Sequence, residues 1–187
     1  MPLPPPSPER KLLHTRNIVC EGFARADGLY DIDGWITDVR TYPMLNEDRG
    51  VIPPGEPLHG MGLRLTITTH YEITDAIAVT DFAPMTICPQ VTPNFKRLVG
   101  LHMTDGFTKN VHRALGGVEG CTHLIDLLKP MAITAFQSIG GRHFAEQSTP
   151  APGSVDAKRR EGFINTCHGW RDDGPMVRRT FPERFTD

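Results

Sequence analysis

The sequence predicts an α+β fold in which an antiparallel sheet of two β-hairpins is covered by two C-terminal helices. Two pairs of strand-like runs, each pair joined through a turn, occupy the first half of the chain. Two helical patterns separated by Gly116-Gly117 follow in the second half. A chain of 187 residues with 39% hydrophobic content is long enough for one domain with a real core.

The elements follow in chain order. Met1 to Arg10 holds a proline cluster, so residues 1–12 read as a disordered tail outside the domain. The α+β domain is expected over 13–145, and 146–187 as an extension packing back on it. Asn17 to Arg25 and Leu29 to Thr41 are strand-like and flank Asp27-Gly28, a dipeptide suited to a tight turn with positive φ. Tyr42 to Pro57, with Pro43, Pro53 and Pro54, is a long connection. Leu58 to Thr69 alternates, with Leu63, Leu65 and Ile67 on one face and Arg64, Thr66 and Thr68 on the other. Glu72 to Phe82 returns to close the second hairpin.

Pro84, Pro89 and Pro93 make Ala83 to Phe95 irregular, with Cys88 inside it. A helix is predicted from about Asp105 to Leu115. A longer one begins near Cys121, burying Leu124, Leu127, Leu128, Met131, Ala132, Ala135 and Phe136, and Gly140-Gly141 stops it near Ile139. Gln147 to Pro152 reads as a flexible polar segment. Phe163 to Trp170 reads as a short strand carrying Cys167-His168.

Composition narrows the function. The net charge is −2 and the basic residues are dispersed, which excludes a nucleic-acid footprint. No apolar run approaches a bilayer span, and the proline-rich opening has no apolar signal core, so a cytoplasmic protein with no membrane partner is expected. The four cysteines then read as thiols or metal ligands. No phosphate-loop or dinucleotide glycine pattern is present, and nothing repeats beyond the hairpins.

The chemistry concentrates where sulfur and imidazole meet element boundaries. Gly116 to Leu124 delivers Cys121 and His123 to a helix start, where free N–H groups and the helix dipole favour a thiolate. The bland alternative makes Cys121 a small hydrophobe and His123 a polar residue of the first turn. His59 in Leu58-His59-Gly60-Met61, Cys88 before Pro89, and Cys167-His168 complete a candidate set whose residue types suit zinc or iron. On a strand, Cys167 and His168 point to opposite faces, so at most one of them joins.

Asp38 falls on the face of Ile32 and Ile36, opposite to Asp31, Asp33 and Trp35, and is the carboxylate drawn inward. It reads as an orienting group, a general base or an oxygen ligand, or else as the partner of an arginine. Asp27 reads as a turn residue and Cys20, beside Ile18, as a core thiol. His14, His70, His112 and His143 read as solvated.

Arg25-Ala26-Asp27-Gly28-Leu29, Pro57-Leu58-His59-Gly60-Met61, Gly120-Cys121-Thr122-His123-Leu124 and Asn165-Thr166-Cys167-His168 together resemble the bacterial domain-of-unknown-function family 2889. The likeness runs from Arg16 to Pro182. It implies that His59, Cys88, Cys121, His123 and Cys167 stand where that family places its Cys and His residues, and it implies no activity. A weaker likeness is to iron–sulfur scaffold proteins of the IscU and NifU type, which implies a cysteine loop after a hairpin and a cysteine opening a long helix. His59 would replace the first thiol there, which suits a mononuclear site better than cluster assembly.

These readings converge on a small cytoplasmic metal-binding protein, a zinc- or iron-dependent enzyme acting on a small-molecule substrate, with a homodimer allowed. The alternatives are a non-catalytic metal or iron–sulfur carrier and a metal-free fold with a reactive Cys121.

Overall fold

The structure, a computed structural model, describes residues 3–6, 8–104, 106–146 and 161–187, with backbone only over 141–146. The chain divides into two units, one ending at Arg142 and one running from His143 to Asp187.

The first unit is an α+β domain. Strands β1 (His14–Ala24), β2 (Tyr30–Arg40), β5 (Pro57–Ile67) and β6 (Ile73–Phe82) form one antiparallel sheet in the order β1-β2-β5-β6. The turn between β1 and β2 centres on Asp27, with Gly28 at φ 84°, as its dipeptide predicts. The long connection is not featureless: it folds into its own small hairpin of β3 (Met44–Asn46) and β4 (Gly50–Ile52). Cys88 opens a 3-10 segment, Cys88–Leu98, in the stretch expected to be irregular.

Helix α1 (Phe107–Leu115) and helix α2 (Thr122–Glu146) supply the covering layer. The Cys121 carbonyl accepts the first helical bond from Ile125 N–H at 2.9 Å, which sets the start of α2 where the apolar stripe predicts it. Leu124, Leu127, Met131 and Ala135 are fully buried against Ile32, Ile36, Leu65 and Ile67 of the sheet in one core. Gly22 and Gly34 let α2 approach closely. A Cβ on Gly34 would lie 2.6 Å from the Met131 sulfur, and one on Gly22 2.0 Å from the Ser138 hydroxyl.

Two expectations need correction, the stop of α2 at Gly140-Gly141 and the strand over Phe163 to Trp170. Gly140-Gly141 does not end α2, which runs on to Glu146, because glycine in a helix interior costs only about 1 kcal/mol and nothing at that point supplies a terminating left-handed turn. Pro130 is likewise accommodated inside the helix, where the Thr134 hydroxyl donates to its carbonyl at 3.0 Å. Phe163 to Trp170 is not a strand: Asn165 adopts φ 62°, its amide and side chain tie back to Trp170 and Asp172, and His168–Trp170 is a 3-10 turn. Ile18 is 41% exposed on an edge strand, while Cys20 beside it is half-buried against the core.

In the second unit, Phe163, Trp170 and Phe181 form a tilted ring series, and helix α3 (Pro175–Thr180) buries Val177. The segment Gln147 to Pro152 lies outside the described residues, as does Asp105. No helix among the described residues is long and apolar enough to cross a membrane.

Candidate metal centre

Strand register builds the site. Arg16 on β1 lies directly opposite Asp38 on β2, and Asp38 directly opposite His59 on β5, so three functional side chains form one row across three strands. His14 sits two residues before Arg16, diagonal to Asp38. Beside the row the pairing slips, leaving Leu58 as an extra residue between the Asp38–His59 and Val39–Pro57 pairs. Arg49 from the small hairpin region donates to the Pro57 carbonyl at 3.0 Å and pairs with Glu56, which holds this bulge in place.

Asp38 is the hub. It is 2% exposed, yet both oxygens are satisfied. Arg16 donates from Nε to Oδ1 at 2.8 Å and from Nη2 to Oδ2 at 2.9 Å. His14 Nε2 lies 3.0 Å from Oδ1, and His59 Nδ1 lies 3.0 Å from Oδ2. Helix α2 brings His123 to the same carboxylate, its Nε2 3.8 Å from Oδ2, and the His123 ring stacks on His59 with centroids 3.7 Å apart. Burial pushes the Asp38 carboxyl up, but the hydrogen bonds and charge of Arg16, then His14 and His59, outweigh it and hold the pKa at about 2. Asp38 is therefore an anion that can only accept, so the hydrogen on His59 must sit on Nδ1 and the lone pair on Nε2.

Both imidazoles titrate below the ordinary histidine value. Burial is the main cause for each; proximity to His123 adds to it for His59, and the Arg16 charge adds to it for His123. Neutral imidazole is the form that binds metal. One donor atom from each of Asp38, His59 and His123 lies within 4.8 Å of the other two, a group able to hold a metal ion.

Two thiols of the first unit, Cys88 and Cys121, neighbour this triad without belonging to it. Cys121 Sγ is 4.0 Å from His123 Nδ1 and 3.8 Å from Met61 Sδ, on the side of the imidazole away from Asp38. Cys88 lines a cavity of about 500 Å3 together with His59, Cys121 and His123. Cys167 is an exposed residue of the second unit, at the start of the His168 turn and not on a strand, so strand alternation does not choose between it and His168.

His14 and Arg16 are the residues the sequence reading passed over. His14 is not a free tail residue but the first of β1, bonded to Asp38; His70 and His112 are exposed as expected, and the side chain of His143 lies outside the described set. The arginine reading of Asp38 and the histidine reading hold together, since Arg16 and the imidazoles share its oxygens.

Fold and site thus define an α+β protein in which a buried aspartate and two half-buried histidines form a cluster of metal-ligating composition beside an open cavity. The chain belongs to the family described as "Protein of unknown function (DUF2889)", whose model matches residues 14–137. That span contains every residue of the cluster. No match was found among curated proteins or among solved structures, so the likeness to iron–sulfur scaffolds gains no support there.

Proposed function

We propose that this protein is a mononuclear zinc or iron enzyme whose metal is held by Asp38, His59 and His123, with a small molecule as substrate. The observation that carries the reading is the approach of one donor atom from each of these three residues to within 4.8 Å of the others. Two imidazoles and one carboxylate leave coordination positions open, as catalytic zinc sites and two-histidine–one-carboxylate iron sites do. A bound ion of this kind would activate water or oxygen, or polarise a carbonyl. The neighbouring cavity of about 500 Å3 favours catalysis over the carrier alternative, in which protein ligands would close the coordination sphere.

The chain's own residues have distinct tasks in this reading. Arg16 and His14 keep Asp38 ionised, and a bound cation would take the place of the hydrogen between His59 Nδ1 and the carboxylate. Cys121 lies next to His123, outside the ligand set. Free thiols at Cys20, Cys88, Cys121 and Cys167 fit residence in a reducing cytoplasm. The test is metal analysis of the full chain purified without a histidine tag: about one equivalent of zinc or iron is expected, lost in His59→Ala. Retention of full metal content in that variant would remove the site.

A further inference from the structure

The metal explains one end of the cavity and not its walls. Apart from His59, His123, Cys88, Cys121 and the Gly120 and Thr122 positions of the helix start, the surface is set by Met61, Pro84, Met85, Ile87, Val91 and Val118, and no Lys, Arg, Asp or Glu is among the lining residues. Met61 is buried at 1% exposure, whereas Met85, Ile87 and Val118 are 54%, 64% and 95% exposed. Those three come from two separate loops yet meet around the same opening, where they make a contiguous apolar rim. A charged ligand would lose its water against these walls and meet no counter-charge. Thioether and aliphatic groups, by contrast, adapt to an apolar body of irregular shape.

We propose that the site takes an uncharged small molecule with an apolar chain or ring and an oxygen-donor head, the body lying in the cavity and the head facing His59 and His123. The head's partner rests on the metal reading above; the body's does not. Straight-chain primary alcohols and hydroxamic acids of matching length, from two to eight carbons, are titrated by NMR against the full chain, metal-free and loaded with zinc. Affinity should rise about three- to four-fold per added methylene in both series and both forms until the cavity is full. Ile87→Asp, at an exposed position, should flatten the rise for the longer members, and Val91→Phe should end it at a shorter chain by narrowing the space. A series with no chain-length dependence, or one unchanged in both variants, overturns the proposal, as does self-association of the chain through this rim without alcohol binding. Failure of the metal reading looks different: the hydroxamic acids would then bind zinc-loaded protein no tighter than the alcohols while the chain-length dependence remains.

Discussion

Replacing Asp38 by asparagine keeps the shape of the hub and removes its charge, and the consequence can be worked out from its four neighbours. Arg16 Nε, Arg16 Nη2, His14 Nε2 and His59 Nδ1 all converge on the two carboxylate oxygens within 2.8–3.0 Å. An amide offers one acceptor oxygen and points an NH2 group at donors on the other side. The folded-state pKa of Asp38 is lowered from 3.8 to about 2, so the pairing adds stability above the unfolded value that is lost as pH falls through about 2. The shift corresponds to at most about 2 kcal/mol, since Arg16 and His14 are themselves partly solvated. Facing donor with donor costs about 1–3 kcal/mol more. Asp38→Asn should therefore destabilise metal-free protein by about 3–5 kcal/mol at neutral pH, with the lower end favoured because the Arg16 head can return to water. Urea denaturation after chelator treatment, repeated between neutral pH and about pH 2.5, reads both quantities. The gap between parent and variant should shrink by about 1–1.5 kcal/mol by pH 2.5, about two-thirds of the pairing contribution, because the folded-state pKa lies lower still. A variant within about 1 kcal/mol of the parent at neutral pH, or a gap that stays constant on acidification, would refute the argument.

Three further outcomes are expected. His123→Ala should weaken zinc binding about ten-fold or more in chelator competition, whereas Cys121→Ala should change it less, because the thiol faces Nδ1 and Met61 and not Asp38. Gly34→Val should cost about 1–3 kcal/mol in thermal or urea unfolding, since α2 must lift or Met131 must turn away from the added carbon. Arg16→Gln should weaken zinc binding in the same competition assay and raise the acid midpoint of metal-free unfolding, because it removes the main group that holds Asp38 ionised.

How much of this was legible beforehand differs from element to element. Both hairpins of the sheet, the inward parity of Asp38 and the start of α2 at Cys121 are local, set by alternation, by a turn dipeptide and by a helical stripe. The same turn, centred on Asp27, already places Arg16 opposite Asp38, so His14 and Arg16 could have been found by carrying the register to the strand's end. The pairing of Asp38 with His59 could not, because 16 residues of connection with their own hairpin intervene between β2 and β5, and the bulge at Leu58 shifts the register beside the site. Cysteine and histidine drew attention as residue types, yet the buried arrangement is built on a carboxylate, with thiols at its margin. The persistence of α2 past Gly140-Gly141 shows the same limit: a local stop signal of about 1 kcal/mol yields to the context of a long helix.

The arginine decides what Asp38 can do. In a buried setting an unpaired carboxyl would take up a proton, and a protonated group neither fixes the His59 tautomer nor attracts a cation. Arg16 prevents this and also has a second anion to turn to, with Nη1 3.3 Å from Asp126 on α2, so a cation arriving between His59 and His123 does not leave the guanidinium without a partner. The depressed pKa that makes Asp38 a ready anion makes it a poor proton acceptor near neutrality, where general bases work best with values close to the ambient pH. In the metal-free site, proton transfer therefore falls to an imidazole. There His59 has Nδ1–H tied to Asp38, its Nε2 lone pair free and His123 stacked on it, whereas once both rings hold a cation neither lone pair remains to accept a proton.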